Sequence, residues 1–155
     1  MMELFQVIED GEGIERAILS GLSARKGGRE RVSEKHPALL VVSPRAAAEG
    51  ASLPEHCRTV LLPGEIGERA LPLRAASAVS YGISPRDSLT ISSREGDTLW
   101  AALQRELVTV DGQVVERQEF PLILEPDAEE IPTLAAAGAL LLLGVPPEEL
   151  GPVFS

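Results

Sequence analysis

Short apolar runs alternate with segments of helical spacing over the first half of the chain. After the first run, apolar positions 14, 17, 18, 19 and 22 share one face of a helix. Ser43-Pro44 predicts an N-cap and first helical residue, and Gly50 predicts the end of that short helix. This alternation predicts a parallel sheet with crossover helices. The predicted strands are Leu4–Ile8, Ala38–Ser43, Arg58–Leu62 and Ser77–Tyr81.

The second half favours antiparallel pairing. Ser88–Ser93 alternates apolar and hydroxyl residues, which is typical of a half-buried strand. Two valine-rich runs flank Asp111-Gly112, a pair that favours a type I′ hairpin turn with positive φ at both residues. The spacing of Thr98–Leu107 fits a helix face or a strand face. We predict a strand, because the hairpin offers it a partner in Val114–Leu124, and we expect residues 98–124 to form a β-hairpin arm.

The last predicted element is an apolar helix over Thr133–Leu143, which ends at Gly144. It is apolar nearly all round, so we expect it to be buried on more than one side. Asp127 is the predicted N-cap. The expected fold is a single α/β domain over residues 1–155. It has a mainly parallel sheet of about four strands, flanking helices in a Rossmann-like three-layer arrangement, and an antiparallel β-hairpin extension.

Composition and charge exclude several classes of protein. The chain has 155 residues, of which 44% are hydrophobic and 25% charged, as expected for one globular domain. Cys57 is the single cysteine, which excludes an intramolecular disulfide and fits the reducing cytoplasm. A net charge of −10 argues against nucleic-acid and membrane-surface partners. The exception is a basic stretch over residues 23–36, for which we predict a flexible loop.

Recognisable catalytic motifs are absent from the sequence. It contains no Gly-x-x-x-x-Gly-Lys phosphate loop and no Gly-x-Ser-x-Gly nucleophile elbow. The Asp10–Gly13 turn lies where dinucleotide-binding glycines would be, but its carboxylates would repel a pyrophosphate. We therefore expect no catalytic residue, no metal site and no cofactor.

From Tyr81 onward the order of motifs resembles a known family. A strand ends in Tyr81-Gly82, a β-rich segment follows, and an alanine-rich helix leads into Gly144-Val-Pro-Pro-Glu-Glu-Leu150. This series over about 70 residues is similar to the later part of the central ATP-binding domain of the Mur-type peptidoglycan-precursor ligases. The family's phosphate loop, magnesium-binding glutamate and carbamylated lysine have no counterparts here. The resemblance thus implies an α/β fold with a β-rich appendage and no ligase activity.

Two functions remain open. The first is a non-catalytic binding or assembly module of a cytoplasmic, bacterial-type protein that forms a homodimer through the hairpin, whose strand edge could pair with a second copy. The alternative is a small-ligand site, or a modest enzyme, at the carboxyl ends of the parallel strands. A shaped pocket there would favour the alternative. Its candidate ligand-binding residues are Asp10, Gly11, Gly13, Ser43, Pro63, Gly64, Tyr81 and Gly82.

Overall fold

The computed structural model describes residues 5–24, 38–53, 56–65 and 74–150, with the side chains of residues 23 and 24 left out. Most of the predicted basic loop, residues 25–36, lies outside these ranges. The three α-helices of the described residues are α1 (Ile14–Ala24), α2 (Pro44–Glu49) and α3 (Glu130–Leu142). The strands are β1 (Phe5–Ile8), β2 (Leu39–Val42), β3 (His56–Pro63), β4 (Arg74–Gly82), β5 (Leu89–Glu95), β6 (Thr98–Leu103), β7 (Leu107–Val108), β8 (Val114–Val115) and β9 (Gln118–Ile123).

One mixed sheet organises the molecule, and it confirms the predicted α/β class. Its strand order is β1-β2-β3-β4-β5-β6-β9, with β1 to β5 parallel. Both β6 and β9 are antiparallel to their neighbours. The sheet has seven strands rather than about four, because the β-rich second half joins it instead of standing apart.

The join between the two halves is short. Strand β5 pairs with β4 only at Tyr81↔Leu89 and Gly82↔Thr90, and the Thr90 hydroxyl donates to Gly82 O at 2.7 Å. Because β5 begins where β4 ends and runs in the same direction, β5, β6 and β9 extend beyond the carboxyl ends of the parallel strands.

Side-chain alternation in the buried strands divides the core into two layers. In β2, Leu39 and Val41 pack in the cluster that holds α1 and α3, whereas Leu40 and Val42 pack with α2. This confirms the three-layer arrangement. Every residue of Leu134–Leu142 in α3 is buried, as the all-round apolar pattern predicts. None of the described helices has the length and apolar character needed to cross a membrane.

Local capping signals are confirmed for α2 and wrong for α3. Ser43 Oγ accepts the N–H of Ala46 at 3.0 Å, and Gly50 ends α2 with a φ of +71°. The N-cap position of α3 is Glu129, which makes no side-chain capping bond, so the expected Asp127 cap does not form. Asp127 instead lies in a turn closed by the N–H of Ala128 bonding Glu125 O at 3.0 Å.

The predicted strand in residues 98–107 is confirmed over β6, which pairs with β9, while β7 and β8 form a separate small hairpin. The type I′ turn is wrong, because Asp111 does not have a positive φ, whereas Gly112 does at +92°. The N–H of Gly112 donates to Thr109 O, and that of Thr109 donates to Gln113 O. These bonds describe a type I turn followed by a left-handed glycine, the usual three-residue hairpin loop.

The small hairpin lies at the amino ends of the parallel strands. The N–H of Val110 donates to Leu142 O at the end of α3, and Arg58 Nη1, near the start of β3, donates to Val110 O; both distances are 2.9 Å. The hairpin therefore lies at the amino ends of the parallel strands, and the candidate ligand-binding residues lie at their carboxyl ends.

Candidate functional site

The eight candidate residues all lie at the carboxyl ends of β1 to β4, but they divide into three groups. Pro63, Gly64, Tyr81 and Gly82 line one cleft. Gly11 and Gly13 line a neighbouring cleft beside α1 and the start of α3. Asp10 and Ser43 line neither of these clefts.

The β1–α1 turn is closed by the chain's own carboxylate. The two carboxylate oxygens of Glu9 accept the backbone N–H groups of Ile14 at 2.8 Å and of Glu15 at 3.0 Å. These N–H groups belong to the first turn of α1, where the helix dipole favours a negative charge and where nucleotide-binding folds hold a phosphate. Glu9 therefore occupies the position that an external anion would need.

A second carboxylate fills the start of α2. Glu12 accepts the N–H of Arg45 at 3.0 Å through one oxygen and the N–H of Asp10 at 3.1 Å through the other. The Arg45 guanidinium in turn donates to Asp10 O at 3.3 Å and lies 3.6 Å from Glu129. The neighbouring cleft is thus bordered by paired charges of this chain.

Acidic side chains also meet at the end of α2. A hydrogen bond with Asp10, together with the negative charges of Asp10 and Glu12, raises the pKa of Glu49. The carboxyl of Asp10 is thereby engaged with Glu49.

Tyr81 and Ser43 are buried side chains that make hydrogen bonds at the carboxyl ends of the parallel strands. Tyr81 is fully buried, and its hydroxyl donates to Val42 O at the end of β2, across the intervening strand β3. Burial, reinforced by the charges of Glu12 and Glu65, raises the pKa of Tyr81, so the phenol stays protonated. Ser43 is fully buried and is occupied as the N-cap of α2.

The cleft lined by Pro63, Gly64, Tyr81 and Gly82 has a volume of about 440 Å³, within the size range of small-molecule sites. It lies between the ends of β3 and β4, the β4–β5 loop and the start of α3. Its other walls are apolar at Pro44, Ile83 and Ile131 and polar at Glu65, Ser84, Arg86 and Asp87. The carboxyl ends of the strands therefore form a shaped pocket.

Asp87 is the buried acidic side chain of this cleft, and it was not among the residues predicted from the sequence. Only 4% of its surface is exposed. One oxygen, Oδ2, accepts the N–H of Ser84 at 3.1 Å. The carboxylate lies so close to Gly64 and Gly82 that a Cβ at either position would clash with it. One signal for it was available in the sequence. The short turn Ser84-Pro-Arg-Asp87 places an acceptor side chain three residues after Ser84.

The loop that carries Asp87 is fixed by two residues that directly follow β6. The Gln104 side-chain amide donates to Pro85 O at 3.0 Å and to Asp87 O at 2.8 Å. Arg105 donates to Arg86 O at 3.0 Å. Asp87 is therefore held in place by backbone contacts that leave its Oδ1 atom out of the network.

Neither a metal centre nor a reactive thiol is assembled in the described residues. They contain no group of three His, Cys, Asp or Glu side chains placed to hold a metal. Cys57 is buried in the α2 layer, and burial raises the pKa of its thiol to about 11, which keeps it protonated at neutral pH.

Comparison with known proteins shows the fold alone. No protein-family model matches the chain, and no curated protein sequence matches it either. Among solved structures it is similar to MurF from Acinetobacter baumannii, with a TM-score of 0.55 and 12% sequence identity. The match covers 99% of this chain and 45% of MurF. The chain thus has a Mur-ligase-like fold and spans less than half the length of that protein.

Proposed function

We propose that this chain is a non-catalytic, small-ligand-binding module of the cytoplasm, which is the alternative that a shaped pocket favours, built on a Mur-ligase-like fold and using the cleft at the ends of β3 and β4 as its binding site. On this proposal Tyr81–Leu150 corresponds to the later part of the central Mur domain. The observation that carries it is the contrast between two positions at one sheet edge. The start of α1 is filled by Glu9, whereas the cleft at the ends of β3 and β4 is open and lined by half of the candidate residues.

The contrast favours a binder that does not use nucleotide. A nucleotide phosphate needs unoccupied N–H groups and a cation that neutralises it. Here the N–H groups of Ile14 and Glu15 are taken, and the neighbouring Asp10 and Glu12 add negative charge. A ligand of this module therefore binds in the cleft at the ends of β3 and β4, beside the start of α1 and not at it.

A second candidate function, self-association, is favoured by a different observation. Val108 and Val114 face each other across the β7–β8 hairpin, and both are large apolar side chains with 48% and 58% of their surface exposed. A two-fold axis beside this pair would bury it against the same pair of a second copy.

The free edge of β9 is a poorer dimer contact than the hairpin. The N–H of Leu124 points toward β6, because it donates to Asp97 O at 2.7 Å. In an antiparallel strand the backbone groups of alternate residues point to opposite sides. The N–H and C=O positions of Glu119, Pro121 and Ile123 therefore point away from β6, toward the free edge. Proline has no N–H to offer at that edge, which is a common guard against strand addition. The proposed homodimer therefore uses the valine pair and not the β9 edge.

One NMR experiment distinguishes the two functions. Isopropanol, a small amphipathic probe, is titrated into ¹⁵N-labelled protein and the backbone amide shifts are followed. A binding cleft predicts saturable shifts at Gly64, Gly82 and Ser84. Shifts confined to Val108 and Val114 would favour assembly, and shifts centred on Gly13 and Ile14 would contradict the proposed binding site.

A further inference from the structure

The buried carboxylate of Asp87 has one oxygen with no donor among the described residues. The N–H of Ser84 donates a hydrogen bond to Oδ2, while Oδ1 faces Gly64. A buried carboxylate served by one neutral donor is costly, because ionised groups inside proteins are normally paired or bonded through all their acceptors. The fold keeps Asp87 in this position, with two glycines making room for it.

Oδ1, the oxygen without a hydrogen-bond donor, belongs to Asp87, which lines the cleft. The cleft walls at Pro63, Ile83 and Ile131 are apolar, and Glu65 adds a second carboxylate. Among the described residues of the lining, Arg86 is the one that is basic. The chain as a whole carries a charge of −10, which raises the local concentration of cations near such a site.

We infer that the cleft recognises an organic cation, an ammonium or guanidinium group on a short apolar stem, whose N–H groups bind Asp87. This rests on the proposed function and names the ligand class of the same cleft. The cationic group supplies the donor that Oδ1 lacks, and the stem lies against the proline and isoleucine walls. A charge-assisted hydrogen bond in a site shielded from water is stronger than one in solution, so charge rather than shape sets the preference.

The same groups disfavour two other classes of ligand. An anion of the same size meets Asp87 and Glu65 and is repelled. A neutral alcohol fits the apolar walls and can donate to Oδ1, but it brings no charge to offset the buried carboxylate. The expected order of affinity is therefore cation, then alcohol, then anion.

The test compares n-butylammonium, n-butanol and butyrate in separate NMR titrations of the full chain. We expect n-butylammonium to shift the amides of Gly64, Gly82 and Ser84 and to bind about tenfold or more tightly than n-butanol. Butyrate should cause no saturable shift there. Equal affinities for the cation and the alcohol would overturn the inference while leaving the cleft as a binding site. Binding of neither at the cleft would overturn the proposed function as well.

Variants test whether Asp87 causes the preference for the cation over the alcohol. Asp87→Asn should remove the preference for the cation, and Asp97→Asn, at an exposed position outside the cleft, should leave it unchanged. If Asp87→Asn fails to fold, Glu65→Gln provides the second variant and should weaken the cation about two- to threefold, since it removes one nearby charge. An unchanged preference in a folded Asp87→Asn protein would overturn the inference, as would cation-induced shifts centred on Glu125 and Asp127.

Discussion

Glu9 Oε1 accepts the backbone N–H of Ile14 at 2.8 Å, so the first turn of α1 is capped by a side chain that lies five residues earlier. The second oxygen of the same carboxylate takes the next N–H, that of Glu15. This pair of bonds stabilises the helix and, at the same time, removes the anion-binding position that follows the first strand of many α/β folds.

Replacing the capping carboxylate should destabilise the protein. Glu9→Gln leaves one acceptor and removes the charge that interacts with the helix dipole, so we expect a loss of about 1 kcal/mol in the free energy of unfolding. Urea denaturation followed by circular dichroism measures it. Glu116→Gln, an exposed carboxylate in the hairpin region, is the control and should change stability by less than about 0.5 kcal/mol. Equal stability of the two variants would show that the Glu9 bonds contribute nothing.

The hairpin loop gives a second stability test. Gly112 has a φ of +92°, which strains a β-branched side chain, so Gly112→Val should cost about 1–2 kcal/mol. The matched control is Gln113→Val, which introduces the same side chain at an exposed position without a positive φ. Thermal unfolding should show a clearly lower midpoint for the Gly112 variant only. Equal midpoints would mean that the glycine conformation does not determine the stability of this loop.

The buried thiol should be inert in the folded protein. With its pKa raised to about 11 by burial, Cys57 stays protonated at pH 8 and should react with Ellman's reagent much more slowly than in urea. Ser52→Cys adds an exposed thiol and should give one equivalent of fast reaction. Fast reaction of the unmodified protein would contradict the burial of Cys57.

The same shift predicts a pH dependence of stability. An unfolded cysteine loses its proton near pH 8.5, whereas the folded thiol keeps it until about pH 11. The unfolded state therefore binds fewer protons in this window, and the contribution of Cys57 to stability is present below pH 8.5 and is lost as the pH rises toward 11. Cys57→Ala should show a smaller decline over this range, measured by urea denaturation. An identical decline in both proteins would remove Cys57 as its cause.

Self-association should depend on the valine pair. Light scattering on the unmodified chain should report about twice 16.5 kDa at micromolar concentration. Val108→Lys and Val114→Lys should both give the monomer mass, because each places a charge in the proposed contact. Ile83→Lys, at an exposed apolar position on the opposite edge of the sheet, is the control and should stay dimeric. A monomeric unmodified protein would contradict the assembly function and leave the cleft unaffected.

The sequence predicts the parts of the fold that depend on neighbouring residues. Ser43, Pro44 and Gly50 identify α2 because an N-cap, a first-turn proline and a left-handed glycine each act within one helical turn. Strands β1 to β4 are recognisable in the sequence as short apolar runs. The joining of β5 to β4 was not predictable, because it rests on two pairs of residues whose contact is set by tertiary packing.

The candidate site was predictable in position but not in chemistry. Strand ends locate Pro63, Gly64, Tyr81 and Gly82 at one edge of the sheet. The role of Asp87 depends on its approach to Gly64, a residue 23 positions earlier that only strand pairing brings near. The Glu9 cap was missed because it joins a side chain to N–H groups beyond the usual three-residue capping distance.

Isothermal titration calorimetry with ATP and Mg²⁺ directly tests whether this module binds without nucleotide. Because Glu9 fills the start of α1 and the sequence has no phosphate-loop lysine, we predict no saturable heat at millimolar nucleotide. Micromolar affinity for ATP and Mg²⁺ would contradict it, because a nucleotide could bind so tightly only if the capping carboxylate were displaced or another phosphate site existed.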